Sequence, residues 1–176
     1  MAKLTPAKIK EQIKKIQEEI EKAKTRYPGR SFTEVTPEEV RRKLKRAKSP
    51  IITYQFWTSS APQGGTIDFV VGIHNPDPTE ARRLFAHVWV GSGAPDPVTS
   101  TFLLNVDTRF PRLTQPDFPG AKIPSSSTLE LNFALDVPSG QVVQESNYFG
   151  HTYLMKAQWF EPSDFLDRGL WAFAVT

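Results

Sequence analysis

The sequence predicts a mainly β protein in which an N-terminal α-helical arm or hairpin precedes an antiparallel β-sandwich. Residues 1–50 carry 15 Lys and Arg against 7 Asp and Glu, whereas residues 51–176 carry 7 against 12. Eighteen of the 20 aromatic residues and 11 of the 15 prolines also lie after residue 50. A compositional change of this kind is typical of a domain boundary. We therefore divide the chain into a basic helical region, 1–50, and a sandwich domain, 51–176.

The first predicted helix carries a heptad seam of apolar residues spaced 4, 3, 4, 3 and 4 positions apart. Thr5 can cap this helix, Pro6 suits its first position, and Pro28-Gly29 ends it. Such a seam packs either between chains in a coiled coil or within one chain in a hairpin. The seam consists of Ile9, Ile13, Ile16, Ile20, Ala23 and Tyr27.

The second predicted helix begins at Thr36-Pro37 and stops before Ser49-Pro50. Its apolar stripe is short (Val40, Leu44 and Ala47), and most of its other positions are cationic. Such a patch can neutralise nucleic-acid phosphates or dock on an acidic protein surface, although charged helix faces are usually just solvated. The basic patch consists of Arg41, Arg42, Lys43, Lys45, Arg46 and Lys48.

Alternating apolar and polar residues predict the strands of the sandwich. The clearest are Leu129–Val137, which Pro138-Ser139-Gly140 follows, and Ile67–Ile73, which Asn75-Pro76-Asp77-Pro78 follows. Seven predicted strands in the last 126 residues, punctuated by Pro and Gly, favour an antiparallel β-sandwich. The other five are Ile51–Thr58, Leu84–Val90, Thr101–Val106, His151–Phe160 and Leu170–Val175.

Residues 51–176 resemble the immunoglobulin-like β-sandwiches of bacterial adhesion and surface proteins. The resemblance rests on the strand Thr66–Asn75, which runs into Pro76, and on the layout of Thr128–Pro138 followed by Thr152–Phe160. It implies an immunoglobulin-like fold and a non-catalytic role. It assigns no functional residue.

Composition and motifs favour binding or assembly over catalysis. The chain has no cysteine, which excludes disulfides, thiolate metal sites and cysteine nucleophiles. It contains no phosphate-binding glycine loop, dinucleotide fingerprint, nucleophile elbow or His-Glu-x-x-His motif. Asp77 with Glu80, or Asp164 with Asp167, could suggest a general acid and base, but solvated turns explain such residues better. We therefore expect a non-enzymatic protein without a cofactor.

Two groups of residues have the chemistry of metal ligands but not the spacing. His74, His87 and His151 show no short ligand pairing. The segment 161–167 gathers three carboxylates, which Ca²⁺ prefers, yet the spacing does not match an EF-hand and acidic loops between strands are common. We therefore predict no metal site. If the protein binds Ca²⁺, this loop is the candidate. Its carboxylates are Glu161, Asp164 and Asp167.

The aromatic residues of the sandwich offer a second kind of binding surface. Trp residues on strands are buried by default, and a glycan platform requires two or more exposed rings on one sheet face. Phe85, His87 and Trp89 share one face of their predicted strand, and the opposite face is apolar as well. One of the two faces is therefore a candidate for contact with another subunit or with the helical arm.

The leading functional hypothesis is a structural or assembly protein, whose helical arm mediates self-association or docking and whose sandwich forms the body. Ile at both a and d positions favours three or more strands in parallel coiled coils, so a homotrimer is the first expectation. The seam can instead form an intrachain hairpin against Val40 and Leu44. If the arm only joins chains, deleting residues 1–48 should leave a folded monomer.

Two alternatives remain: a glycan-binding module that uses Phe85 and Trp89, and a nucleic-acid-associated protein that uses the basic second helix. The Lys-rich N-terminus shows no secretory signal, and no apolar run is long enough to span a bilayer. The expected location is therefore the cytoplasm or a larger assembly such as a virion.

Overall fold

The computed structural model describes residues 3–92, 121–137, 139, 144–156 and 165–176. In this part of the chain, helix α1 spans Pro6–Arg26 and helix α2 spans Pro37–Arg46. The strands are β1 (Ser31–Glu34), β2 (Ile51–Trp57), β3 (Ser60–Ala61), β4 (Thr66–Asn75), β5 (Arg82–Ser92), β6 (Ala121–Ile123), β7 (Ser127–Asp136), β8 (Gln144–Met155) and β9 (Phe165–Val175).

The strands form two sheets. Sheet A has the order β1-β2-β4-β7, and sheet B has the order β3-β9-β8-β5-β6. The pairs are antiparallel apart from the short contact of β3 with β9, where Ser60 lies opposite Ala174 in parallel register. The chain thus passes from sheet A to the edge of sheet B directly after β2. The predicted class, a mainly β protein in which N-terminal helices precede an antiparallel β-sandwich, is confirmed.

The space between the sheets is filled by the alternating apolar residues that predicted the strands. Ile67, Phe69 and Ile73 point inward from β4, and Trp171 and Phe173 meet them from β9. The rings of Phe69 and Trp171 stack with their centroids 4.6 Å apart. These residues belong to one buried cluster that both sheets share.

One glycine is required by this packing. A Cβ atom placed on Gly150 of β8 would lie 2.0 Å from the indole of Trp171. That distance is far below van der Waals contact, so the ring occupies the space that any other residue would need. Gly150 therefore permits the close approach of Trp171 to β8.

A second apolar cluster lies on the other face of sheet A, where the two helices cover β2 and β4. All seven residues of β2 are buried, because one face meets sheet B and the other meets the helices. The helical members are Ile9, Ile13, Ile16, Ile20 and Ala23 of α1, with Val40 and Leu44 of α2. The sheet members are Ile51, Tyr54, Phe56 and Val70.

This packing corrects the expectation that the seam of α1 is a self-association surface. Ile16 is 1% exposed and Ala23 is fully buried, so the seam is used inside the chain. The hairpin alternative is correct in part, since α1 contacts α2, but both helices also lie on sheet A. The helical region is thus no free arm. The division of the chain at residue 50 stays a prediction.

Six of the seven predicted strands coincide with β2, β4, β5, β7, β8 and β9. The seventh, Thr101–Val106, lies outside the described residues, as do positions 157–160 of the predicted strand His151–Phe160. The short strands β1, β3 and β6 were not predicted, because two to four residues are too few for an alternating pattern. No helix of the described part is long and apolar enough to cross a bilayer.

Candidate functional site

A cleft with a cationic lining lies where the end of α2 meets the start of β5 and the facing ends of β8 and β9. One part has a volume of about 390 Å³, and an adjoining part of about 420 Å³ shares Arg46, Lys156 and Leu166 with it. We call the two parts together the basic cleft. Its cations are Lys3, Arg42, Lys43, Arg46, Lys48, Arg82, Arg83 and Lys156.

Helix α2 supplies one wall of the basic cleft because its apolar stripe fixes its orientation. Thr36 caps the helix, and its Oγ1 accepts a hydrogen bond from the N–H of Glu39 at 3.2 Å. Val40 and Leu44 are buried against α1 and sheet A. The remaining faces carry the cations, which also suit the negative end of the helix dipole near the C-terminus.

The opposite wall is built on the buried carboxylate of Asp77. Its Oδ1 accepts hydrogen bonds from the N–H groups of Thr79 at 3.0 Å and Glu80 at 3.1 Å. Its Oδ2 accepts from Arg82 Nη2 at 2.7 Å and lies 3.8 Å from Lys48 Nζ. The carboxylate thereby holds one cation from α2's end and one from β5 at the same cleft.

Electrostatics keep Asp77 ionised. Burial alone would raise the pKa of its carboxyl, but the hydrogen bonds from Thr79, Arg82 and Glu80 lower that pKa to about 2. Sequence reasoning assigned Asp77 and Glu80 to a solvated turn. For Asp77 this is wrong, because its side chain is fully buried and acts as the counter-ion of two cations.

Asp167 plays a similar part at the other end of the basic cleft. Its carboxylate accepts hydrogen bonds from Lys43 Nζ at 2.9 and 3.0 Å and from the N–H of Ile52 at 2.8 Å. Asp167 thus links α2, sheet A and sheet B. It lies on β9 rather than in the acidic loop expected as a Ca²⁺ candidate. The other two carboxylates of that loop, Glu161 and Asp164, lie outside the described residues.

Six of the eight cations of the basic cleft fall into two groups. Lys43, Lys48 and Arg82 each contact a carboxylate, as the distances above show. Arg42, Arg46 and Lys156 form no ion pair with any residue of the described part. The described carboxylates therefore fix the positions of three cations and leave Arg42, Arg46 and Lys156 without an ion pair to any described residue.

The basic patch predicted from the sequence is only partly the patch that the fold assembles. Four of its residues line the basic cleft, while Arg41 and Lys45 are exposed on α2 beside it. Sequence reasoning missed the cations from other segments, because nothing local indicates that they approach α2. The adjacent pair at the start of β5 was the one visible signal. The missed residues are Lys3, Arg82, Arg83 and Lys156.

A separate buried polar cluster attaches the first half of α1 to sheet A. The imidazole of His74 on β4 hydrogen-bonds Gln12 through Nε2 and Thr128 through Nδ1, each at 2.8 Å. The hydroxyl of Thr128 also donates to Glu19. Burial raises the pKa of Glu19, but its hydrogen bonds with His74 and Thr128 outweigh burial and lower it. This cluster positions α1, and its polar groups satisfy one another.

The histidines do not combine into a metal site in the described part of the chain. His74 belongs to sheet A and His151 to sheet B, and no three His, Asp or Glu residues there are placed to share an ion. Burial lowers the pKa of His151 to about 4. Position 87 lies on β5 opposite Tyr153, but the structure does not describe its side chain.

A second polar cluster fixes the C-terminal end of α1. Glu130 on β7 accepts hydrogen bonds from Arg26 at 2.7 Å, from Tyr54 at 2.8 Å and from the hydroxyl of Tyr27. Burial raises the pKa of Glu130, but these donors lower it below its usual value. Tyr27, the last residue of the predicted seam, thus contacts the sheet of its own chain.

The aromatic pair proposed for glycan binding lies on β5. Phe85 is opposite Met155 and Trp89 is opposite His151, and the side chains of both partners on β8 are buried. The structure does not describe the side chains of Phe85 and Trp89 themselves, so the glycan-binding surface stays a prediction. The large apolar side chains that are exposed in the described part are Phe32 and Leu170.

Comparison with known proteins yields likenesses in structure only. The sequence matches no protein-family model and no curated protein. A Niemann-Pick type C2 protein from the Japanese carpenter ant is similar at 8% identity and a TM-score of 0.44, covering 73% of this chain and 93% of that one. The CARDB domain of a Pyrococcus furiosus protein, solved with di-metal ions, is similar at 8% identity and a TM-score of 0.40. The match covers 72% of this chain and 90% of that one. These likenesses assign no family, and the fold assignment rests on the sheets described above.

Proposed function

We propose that this protein is a non-enzymatic binding module that attaches to an anionic partner through the basic cleft. The observation that carries the proposal is the convergence of eight cations, from four separate segments of the chain, on one cleft. Among the residues that the structure describes, ion pairs join three of these cations to carboxylates, which are those of Asp77, Glu80 and Asp167. A bound anion relieves the mutual repulsion among the cations.

The two buried carboxylates support a binding role over a catalytic one. A general acid or base must be free to exchange a proton with a substrate. Both oxygens of Asp77 and of Asp167 instead accept hydrogen bonds from backbone N–H groups or cations. These carboxylates hold the cations in place, and this role matches the docking part of the assembly hypothesis.

Self-association through the α1 seam is not part of the proposal, because the seam is buried against α2 and sheet A. Self-association through another surface and glycan binding stay predictions. The second functional candidate, docking on nucleic acid, concerns the same cleft and differs only in the identity of the anion.

Inorganic polyphosphate is a suitable first probe, because it carries a dense negative charge and no other recognition feature. A ligand that binds only the folded state raises the melting temperature, by about 5 °C or more when its concentration is about a hundredfold above Kd. We expect this rise for the natural sequence. The double variant Arg46→Gln/Lys156→Gln removes two exposed cations of the cleft that have no ion pair in the described part, and it should lose most of the rise.

The matched control is Lys10→Gln/Lys14→Gln, which removes the same charge from the exposed side of α1, outside the cleft lining. It should respond to polyphosphate like the natural sequence. No rise with the natural sequence, or an equal rise in all three proteins, would contradict the proposal.

A further inference from the structure

We infer that the anionic partner is a nucleic-acid duplex, held in the basic cleft by its phosphate backbone without contact to base edges. This inference rests on the proposed function and names the partner for the same cleft.

The lining favours a phosphate backbone over bases or a protein surface. Beside the cations it contains small or aliphatic groups such as Ala47, Pro50, Ala81 and Leu166, and none of its described residues is aromatic. Single-stranded nucleic acids are held largely by stacking of bases on aromatic rings. Protein partners are held by buried aromatic and Arg anchors at interfaces depleted in Lys. The described lining has no such aromatic residue, whereas wet, strongly cationic surfaces are typical of nucleic-acid interfaces.

Half of the cations are arginines, which suits oxyanions with several oxygens. The guanidinium presents a planar fork of N–H donors that matches two oxygens of one phosphate. Asp77 already fixes the orientation of Arg82, and Lys48 lies beside the same carboxylate. A fixed guanidinium loses less side-chain entropy when the ligand binds.

Charge density separates a duplex from an acidic peptide, since Arg also binds carboxylates. Helix α2 has ten residues and is therefore about 15 Å long. A duplex carries one charge per ~1.7 Å of its axis, or roughly nine over that length. An extended acidic peptide presents side chains on one face only every ~7 Å, or roughly two over the same length. Eight cations line the cleft, and even with Lys43, Lys48 and Arg82 set aside because they contact carboxylates, the others outnumber the two charges of the peptide face and are better matched by the duplex.

The positive surface also continues beyond the cleft. Arg41 and Lys45 are exposed on α2 and do not line the cleft. A compact anion that fills the cleft would leave both without a role. A duplex that lies along α2 can contact them through further phosphates, which do not depend on base sequence.

The test uses fluorescence anisotropy with labelled probes: a mixed-sequence DNA duplex of about two helical turns, a second duplex of unrelated sequence, the single strand and a poly-glutamate peptide of similar length. We expect the two duplexes to bind within about twofold of each other, and the single strand and poly-glutamate at least about tenfold more weakly. The logarithm of the binding constant should fall with the logarithm of salt concentration with a slope of about −4, as expected for four to five phosphates.

The same variants connect this binding to the cleft. Arg46→Gln/Lys156→Gln should weaken duplex binding about tenfold or more and reduce the magnitude of the salt slope by about 2, one unit for each lost phosphate contact. Lys10→Gln/Lys14→Gln should remain within about twofold of the natural sequence, because these lysines lie outside the cleft.

The outcomes separate this inference from the proposed function. If poly-glutamate binds as tightly as the duplex, and the cleft variant abolishes both, the anion-binding cleft stands and the nucleic-acid inference is wrong. Preference for the single strand, or strong dependence on base sequence, also overturns it. If polyphosphate, duplex and peptide all fail to bind, both the inference and the proposed function are wrong.

Discussion

The two helices cover the same sheet, but several polar residues of α1 have partners in the fold, whereas two cations of α2 that line the basic cleft have none in the described part. On α1, Gln12 and Glu19 contact the His74–Thr128 cluster, and Arg26 and Tyr27 contact Glu130. These polar groups have partners in the fold. On α2, Arg42 and Arg46 face the basic cleft without an ion pair in the described part of the chain.

This difference distinguishes side chains that stabilise the fold from side chains that are available to a ligand. A charged group that is hydrogen-bonded within the fold fixes the geometry of its surroundings, as Glu130 does for the end of α1. A group of like charges that the fold brings together without neutralising it costs free energy in the absence of a ligand. Helix α1 is therefore a structural element in our account, whereas α2 is the wall of a binding site.

The largest effect is expected from removing the helices altogether. Deleting residues 1–48 removes both helices and the edge strand β1, exposes the outer face of sheet A, and removes Gln12, one of the two hydrogen-bond partners of His74. We expect the remainder to aggregate or to lose cooperative unfolding, measured by circular dichroism and size-exclusion chromatography. A well-folded monomer, the outcome expected from the sequence for a free arm, would show that α1 is no part of the architecture.

Two point variants refine that comparison. Ile16→Ala removes a side chain that is 1% exposed, and such truncations cost about 2–5 kcal/mol of stability. Gln17→Ala, at the neighbouring exposed position, should change stability by less than about 0.5 kcal/mol. Similar effects of the two would contradict the intrachain burial of the seam.

A smaller but more specific effect is expected at Asp77. Asp77→Asn leaves Arg82 and Lys48 without their buried counter-ion, and it should cost about 3 kcal/mol of stability. It should also weaken polyphosphate binding, because both cations lose their fixed positions. Glu80→Gln makes the same chemical change in an exposed carboxylate 3.6 Å from the same arginine, and its cost should stay below about 1 kcal/mol.

The same two variants, Asp77→Asn and Glu80→Gln, test how the stability of the protein depends on pH. The pKa of Asp77 is lowered from 3.8 to about 2 in the folded state, so its contribution is present above about pH 4 and is lost as the pH falls toward 2. Across this pH range, the free energy of unfolding measured with denaturant should change less with pH for Asp77→Asn than for Glu80→Gln. Identical pH profiles would mean that Asp77 is not the buried counter-ion described here.

Local patterns predicted much of the fold. Thr5, Pro6 and Pro28-Gly29 marked the limits of α1 because caps and breakers act within a few residues. Alternation predicted β4 and β7 for the same reason. The partner of the seam could not be predicted, because an apolar stripe has the same sequence whether it is buried within a chain or between chains. The mostly apolar sequence of β2, in which five of seven residues are apolar or aromatic, was an indication that sheet A is covered on both faces.

The candidate site was harder to predict because it depends on contacts distant in sequence. The basic patch on α2 was evident from charge alone, but the approach of Arg82 and Lys156 to α2 follows from the strand order. The turn Asn75-Pro76-Asp77-Pro78 has the composition of an exposed loop. Asp77 is nonetheless buried, because Arg82 and Lys48 supply the compensating charge that the sequence does not reveal.

The central claim is that α2 and not α1 contacts the anionic partner. Backbone amide chemical shifts, followed by two-dimensional NMR during a polyphosphate titration, test it most directly. The account predicts that the largest shifts occur at residues 42–49 and 81–83, with small changes along Pro6–Arg26. If the largest shifts instead lie on the exposed face of α1, the basic cleft is not the binding site and the distinction between the two helices is wrong.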